Sequence, residues 1–192
     1  MNGFEKRREE KKKQIKIATY KLLSKKEINE VTIKMIATEA KVSQVSIYNF
    51  FESKENLIKL LVMDILDRKI TITREIIKSD LNFKDKINKI IEIKIHSLKE
   101  FSGNFLTEFI LNDNELLSIN NNINSKVEEL FSDLFDYGKS ENCISKEIDN
   151  STLLLYFTVF RNGLSSLPVK QLDNNIIESL IKLFFQSITS RG

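Results

Sequence analysis

The chain has 192 residues, and 30 Lys or Arg against 27 Asp or Glu give it a formal net charge of +3 at pH 7. A hydrophobic content of 41% is enough for a packed core and excludes an intrinsically disordered protein. With one Pro and five Gly, and with no alternating run rich in Val and Thr, the composition predicts an all-α fold.

Charge is distributed unevenly along the chain. Residues 1–56 contain 13 Lys or Arg against 8 Asp or Glu, whereas residues 57–192 contain 17 against 19. A basic amino-terminal head beside a nearly neutral body fits a head that meets phosphates and a body that does not.

The sequence also limits the compartment. A single cysteine, Cys143, excludes an internal disulfide framework. No apolar stretch approaches the roughly 18–20 residues of a membrane span, and the charged amino terminus lacks the apolar core of a secretory signal. We expect a cytoplasmic protein without a membrane partner.

The first predicted helix opens with a mixed-charge run at residues 5–16. Its lysines Lys11, Lys12 and Lys13 either lie along a phosphate backbone or belong to a solvated helix end, and the sequence leaves both interpretations open. From Ile15 onward, apolar residues at helical spacing predict one buried face, formed by Ile15, Ala18 and Leu22 and closed by Ile28 and Val31.

Two short helices and a tight turn follow. Thr32 is the predicted N-cap of Ile33–Glu39, Ser43 that of Gln44–Phe50, and Ser53 that of a helix beginning at Lys54. Small Ala37 permits a close crossing of the two short helices. The positions expected to face inward are Ile36, Ala40, Val42, Ile47 and Phe50. This spacing predicts a helix-turn-helix.

The outward face of the second short helix is polar. It comprises Gln44, Val45, Ser46, Tyr48 and Asn49. Gln and Asn can pair bidentately with adenine edges, so such a face on a basic segment suits recognition in the major groove. The alternative is an ordinary helical hairpin with a polar surface.

Three short strings around this helix carry a family resemblance: Val42-Ser43, the run Ile47-Tyr48-Asn49-Phe50-Phe51, and the run Ser53-Lys54-Glu55-Asn56-Leu57. Together they resemble the DNA-binding domain of TetR-family transcriptional regulators, over roughly residues 10–60. The chain departs from the family pattern at Lys41, where glycine is usual. A left-handed backbone there would cost Lys about 1 kcal/mol more than Gly.

The resemblance implies double-stranded DNA as a partner. Gln44, Ser46 and Asn49 are the candidates for reading base edges, and Val45 lies on the same face. Thr32, Tyr48 and Lys54 are the candidates for phosphate contacts. Lys54 also follows the Ser53 cap, where the free N–H groups of a helix start favour an anion.

A helix from Lys54 to about Lys78 is predicted to join the head to the body and to end before Asp80-Leu81-Asn82. The domain boundary is placed at Val62, giving a helix-turn-helix domain at 1–61 and a larger helical domain at 62–192. The elements expected in the body are a helix from Phe83 to Phe101, a turn at 102–104, a short helix Phe105–Leu111, a loop or weak helix start at Asn112–Ser125, a helix from Ile123 to Gly138, a loop at 139–149, and helices Asn150–Leu164 and Asn174–Thr189.

The last two helices carry more apolar surface than one internal face requires. The second stripe predicts a homodimer, which the resemblance also implies, while a wholly internal helix is the alternative. The residues expected at the dimer interface are Leu153, Phe157, Ile177, Leu180, Ile181, Phe184, Phe185 and Ile188.

The body is rich in phenylalanine, and the resemblance implies a small, largely apolar effector there. Either the aromatic side chains line a ligand cavity or they fill the core. The effector-binding candidates are His96, Phe101, Phe105, Glu108, Phe109, Phe131, Phe135, Tyr156, Phe157, Phe160 and Arg161.

Motifs for catalysis, cofactors and metals are lacking in the sequence, so we expect no enzyme, no cofactor and no metal site. The sequence predicts a homodimeric, sequence-specific regulator of transcription, a repressor released from a palindromic operator by a small effector. The alternative is a dimer that uses DNA as a mooring and binds another protein without an effector.

Overall fold

A computed structural model describes residues 2–99, 114–166 and 174–189 of the chain. All regular structure within these ranges is helical, which confirms the all-α prediction. The helices are α1 Gly3–Leu23, α2 Ile33–Ala40, α3 Gln44–Phe51, α4 Lys54–Lys78, α5 Phe83–Lys99, α6 Asn114–Ser140, α7 Asn150–Ser166 and α8 Asn174–Ile188. Among the described residues, none of these helices is both long and apolar enough to cross a bilayer.

The described residues form two compact units that divide within α4, between Ile65 and Leu66. The boundary predicted from sequence lies about one turn earlier. The first turns of α4 contribute Leu57, Leu61 and Val62 to the buried core of the first unit. This burial explains why the first unit extends past residue 61.

The core of the first unit is built from one apolar stripe on each short helix. Ile15 of α1, Ile36 of α2 and Ile47 of α3 are completely buried. Phe51, rather than the expected Phe50, fills the remaining space, because it follows Ile47 by one helical turn and thus shares its face. Phe50 is half-buried at the edge of that face.

Each predicted cap is present. The Thr32 hydroxyl accepts from the backbone N–H of Met35 at 3.3 Å, and the Ser43 hydroxyl accepts from that of Ser46 at 3.1 Å. The Ser53 hydroxyl accepts from the N–H of Asn56 at 3.0 Å. These bonds satisfy amides that a helix start otherwise leaves open, which fixes where α2, α3 and α4 begin.

The turn between α2 and α3 is left-handed at Lys41, with φ 55° and ψ 43°. The N–H of Val42 donates to the carbonyl of Ala37 at 3.0 Å and closes the end of α2. The chain therefore keeps the turn geometry that favours glycine while carrying a lysine.

The core of the second unit is largely aromatic. Phe131 of α6 stacks on Phe157 of α7 with ring centroids 3.9 Å apart, and Phe160 stacks on Phe184 of α8 at 4.7 Å. These rings pack on one another, so the described phenylalanines fill the core of this unit.

The polar stretch Asn112–Ser125 was expected to be a loop or a weak helix start. Instead α6 runs without a break from Asn114, so that Asn120-Asn121-Asn122 lie inside a helix. Asn costs a helix less than about 0.7 kcal/mol per residue relative to Ala, which the packing of the later turns can outweigh. The predicted turn at 102–104 and the short helix Phe105–Leu111 lie outside the described residues.

A buried lysine joins the start of α5 to the end of α4 by a hydrogen bond. Lys86 is 2% exposed, and its ammonium donates to the carbonyl of Ile77 at 2.8 Å. The same ammonium lies 3.4 Å from the centroid of the Tyr137 ring, whose hydroxyl donates to the carbonyl of Leu81 at 2.9 Å. Burial lowers the pKa of Lys86, and the carboxylates of Glu141 and Asp80 oppose that shift. This lysine thus has partners for its charge.

Replacing Lys41 with Gly should stabilise the protein against chemical denaturation by roughly 0.5–1 kcal/mol, because glycine adopts the left-handed backbone without steric cost. The control is Lys34→Gly, the same exchange at an exposed site inside α2. That variant should lose about 1 kcal/mol. Equal losses of stability in both variants would contradict a steric cost for Lys41 in the left-handed backbone.

Candidate nucleic-acid interface

The outer face of α3 is open to solvent. Gln44, Val45, Tyr48 and Asn49 are exposed, with Val45 at 65% and Tyr48 at 50%. The opposite face is anchored by buried Ile47. The helix is therefore held from behind and presents two amides, one phenol and one small apolar side chain outward.

Two of the expected contact residues use their hydroxyl groups within the protein. Ser46 is half-buried, and its hydroxyl lies 2.8 Å from that of Ser43. The exposed Thr32 hydroxyl accepts the capping bond from Met35. A hydroxyl that accepts one bond can still donate one, so Thr32 retains a donor for a phosphate.

Lys54 has a structural role in this domain. Its ammonium donates to the carbonyls of Ile28 at 2.9 Å and Val31 at 2.8 Å. These bonds tie the segment before α2 to the start of α4. Two of its three N–H donors are thus occupied, and the side chain is directed into the protein.

Two basic residues that were not selected from the sequence lie beside the exposed face of α3. The Arg8 guanidinium lies 5.9 Å from the centroid of the Phe50 ring, which places the first turns of α1 next to the end of α3. Lys41 is exposed at the turn before α3. In the sequence, Lys41 differs from the other lysines only in occupying a turn position where glycine is usual. Nothing in the sequence distinguishes Arg8 from the other charged residues of its run.

Of the three consecutive lysines on α1, one is paired with a carboxylate and two are exposed. Lys12 pairs with Glu9 at 2.9 Å, and this pairing holds the pKa of the Glu9 carboxyl below its ordinary value. Lys11 and Lys13 are exposed. Lys12 thus behaves as part of a solvated helix surface.

Residues 17–61 match the profile of the family described as bacterial regulatory proteins, tetR family. The match covers the end of α1, all of α2 and α3 and the start of α4, and it confirms the resemblance predicted from Val42-Ser43 to Leu57. Comparison with curated proteins finds no match.

Solved structures share the fold of the whole chain. A TetR transcription regulator from Haloarcula marismortui aligns with a TM-score of 0.73 at 14% identity, covering 95% of this chain and 100% of that one. The fatty acid degradation regulator FadR from Bacillus halodurans aligns with a TM-score of 0.65 at 18% identity, covering 93% and 94%. A transcriptional regulator from Saccharomonospora viridis, in complex with choline, gives a TM-score of 0.76 at 12% identity, covering 95% and 100%. Identities this low establish the fold alone.

The structure brings some of the expected effector residues together: Phe131 contacts Phe135 and Phe157, and Arg161 lies over the Phe157 ring. Phe131, Phe135 and Phe157 are buried in the aromatic core, and Phe160 and Arg161 are half-buried. His96 is exposed, as is Tyr156, whose hydroxyl lies 3.0 Å from that of Ser187. Phe101, Phe105, Glu108 and Phe109 lie outside the described residues.

The expected dimer residues lie mostly inside the second unit. Leu180 is half-buried, and the other seven are at most 8% exposed: Leu153, Phe157, Ile177, Ile181, Phe184, Phe185 and Ile188. The reason is that α8 turns its stripe of Ile177, Ile181 and Phe185 toward its own core. The exposed large apolar residues of α7 and α8 are instead Leu155, Tyr156, Val159, Ile176 and Leu183.

Lys54→Met should lower the stability of the protein by about 1.5–3 kcal/mol, the usual range for hydrogen bonds that involve a charged group. The measurement is chemical denaturation without DNA. The control is Lys34→Met, which replaces an exposed lysine of α2 and should leave the stability nearly unchanged. If the stability of Lys54→Met is unchanged, the two hydrogen bonds do not stabilise the domain, and Lys54 is again a candidate for a phosphate contact.

Proposed function

We propose that the protein is a sequence-specific DNA-binding regulator of transcription, which represses as a homodimer and leaves its operator when a small molecule binds. The observation that carries the proposal is the exposed α3 face, with Gln44, Tyr48 and Asn49 directed outward, inside the segment that matches the tetR family. The fold shared with solved transcriptional regulators supports the same function.

In this proposal α3 enters the major groove. Gln44 and Asn49 read base edges, since both amides are exposed and can donate and accept at one adenine. Val45 contacts a thymine methyl group, which needs only a small apolar surface. Tyr48 and Thr32 hold the register on phosphates. Ser46 and Lys54 act mainly by supporting α3 and its surroundings, because their polar atoms are engaged within the domain.

Dimerisation uses a surface that we call the terminal patch: Leu155, Tyr156, Val159, Ile176 and Leu183. Leu155 is 65% and Leu183 is 59% exposed, and exposed apolar residues that group on one surface mark a candidate interface. The contact between the hydroxyls of Tyr156 and Ser187 joins α7 to α8, the two helices that carry the patch. Two copies related by a two-fold axis would cover it and pair two α3 helices for half-sites about 34–36 Å apart.

The effector part of the proposal rests on the body of the molecule. The choline complex of the Saccharomonospora viridis regulator shows that one protein of this fold holds a small molecule. Here the ligand would favour a form of the dimer that does not fit the operator. It can do so only if its affinity for the two forms differs.

One observation favours the mooring alternative. The described phenylalanines stack on each other, which is how a ligand-free core would look. Selection of genomic fragments by the purified protein separates the two functions. Short promoter-proximal palindromes support regulation, whereas dispersed sites support a DNA-moored dimer that binds another protein.

Gln44→Ala should weaken binding to the selected operator roughly 5- to 150-fold, the range that one bidentate base contact provides, and leave binding to random DNA nearly unchanged. Fluorescence anisotropy at a fixed salt concentration measures both affinities. Gln14→Ala, at an exposed site of α1, is the matched control and should keep the sequence preference. Equal losses on both DNAs would refute base reading by Gln44.

Leu183→Glu should convert the dimer to monomers, because a buried, unpaired carboxylate at the interface is costly. Analytical ultracentrifugation over a concentration series reports the dissociation constant, and operator binding should fall with it. Ile148→Glu is the control, since Ile148 is 37% exposed and lies outside the terminal patch. A Leu183→Glu protein that remains dimeric would show that another surface pairs the copies.

A further inference from the structure

The amino-terminal half of α1 extends beyond the core of the first unit. Ile15 is the first buried residue of this helix, although the helix begins at Gly3. Residues 3–14 therefore form a segment about 18 Å long whose side chains are exposed, apart from that of half-buried Lys12. Burial of an apolar face is the usual source of helix stability in proteins, and it does not account for this segment.

Local bonds keep the segment helical. The side-chain oxygen of Asn2 accepts from the backbone N–H of Glu5 at 2.9 Å, and the Glu5 carboxylate accepts from the N–H of Asn2 at 2.9 Å. This reciprocal cap satisfies two amides at the helix start. One turn later, Glu9 pairs with Lys12. Two of the three glutamates of the segment are thus engaged in holding the helix.

Basic side chains of the segment are grouped on one side. Successive residues of a helix advance by about 100° around its axis, which places Arg7, Arg8 and Lys11 within about one third of the circumference. The three glutamates lie outside this sector. Arg7, Arg8 and Lys11 are exposed, and within the described ranges none of them forms an ion pair. We call these three residues the α1 basic face.

The α1 basic face adjoins α3. The guanidinium of Arg8 lies 5.9 Å from the centroid of the Phe50 ring. Phe50 directly follows Asn49, whose exposed amide is proposed to read a base. A contact with the ring positions the guanidinium and leaves its N–H groups available to an acceptor.

A salt bridge shows which way the α1 basic face is turned. The ammonium of Lys16 pairs with the carboxylate of Asp64 on α4 at 2.6 Å. Lys16 lies about half a circumference from Arg7 around the helix axis. The flank that carries Arg7 and Lys11 is therefore turned away from α4 and stays open to solvent beside the end of α3.

We propose that Arg7, Arg8 and Lys11 bind phosphates of the DNA duplex beside the groove that α3 enters. Duplex DNA carries one negative charge per about 1.7 Å of its axis, so a basic face next to an inserted helix meets several phosphates. Such contacts fix the orientation of a protein on the duplex without reading its sequence. The inference rests on the DNA-binding part of the proposed function, because α3 must occupy the same duplex.

The test compares two lysines of the same segment. Lys11→Gln removes a charge from the α1 basic face, and Lys13→Gln removes the same charge from nearly the opposite side of the helix. Both lysines are exposed, and Gln is about as good a helix former as Lys, so neither exchange should change the thermal midpoint. Fluorescence anisotropy with a random-sequence duplex at several salt concentrations measures the affinity and its salt dependence.

At about 0.1 M salt, Lys11→Gln should weaken binding roughly 5- to 10-fold and flatten the salt slope by about one unit, since one phosphate contact is lost. Arg8→Gln should have the same effect. The control Lys13→Gln should stay within about twofold of wild type, because an exposed charge that faces away from the duplex is screened. Equal losses for Lys11→Gln and Lys13→Gln would show that α1 acts only through its net charge and would overturn the proposal.

The outcome is separable from that of the proposed function. Phosphate contacts do not depend on base sequence, so the random duplex tests the α1 basic face whether or not α3 discriminates between sequences. If wild type binds every sequence equally and Lys11→Gln still loses more than Lys13→Gln, the α1 basic face is supported and sequence-specific regulation is refuted. If the two lysine variants behave alike and Gln44→Ala still loses operator preference, only the α1 basic face is refuted.

Discussion

The first unit depends on the burial of one side of α3. At eight residues, this helix is too short to be stable on its own in water. Ile47 and Phe51 anchor it in the core, and the Ser43 hydroxyl caps its first turn. With the inner side fixed in this way, the outer side carries polar groups without weakening the fold. The rigid presentation of Gln44, Tyr48 and Asn49 is a consequence of that packing.

Some polar residues around α3 that were expected to contact DNA instead make hydrogen bonds within the domain. Lys54 joins the segment before α2 to the start of α4 through two carbonyls. Ser46 shares a hydrogen bond with the capping Ser43. A polar residue near a binding helix can thus hold the surface in shape rather than contact the ligand, and only its bonding partners distinguish the two roles.

The second unit shows a charged side chain in the same supporting role. Burial lowers the pKa of Lys86. Its ammonium has a backbone carbonyl and an aromatic ring as partners, and these contacts hold the start of α5 against the end of α4. A buried charge can therefore stabilise a fold when its neighbours supply such partners.

The sequence by itself determined the helical class, the three caps and the exposed face of α3, because caps and apolar spacing depend on residues one or two turns apart. At Lys41 the sequence raised only the cost of a left-handed backbone, and the structure shows that the turn is left-handed there. Tertiary structure alone decided that Phe51 rather than Phe50 is buried, and that Lys54 bonds to Ile28 and Val31. It also decided that α8 turns its Ile177 stripe inward and leaves Leu183 exposed. These facts follow from contacts between residues far apart in the chain, which local spacing does not encode.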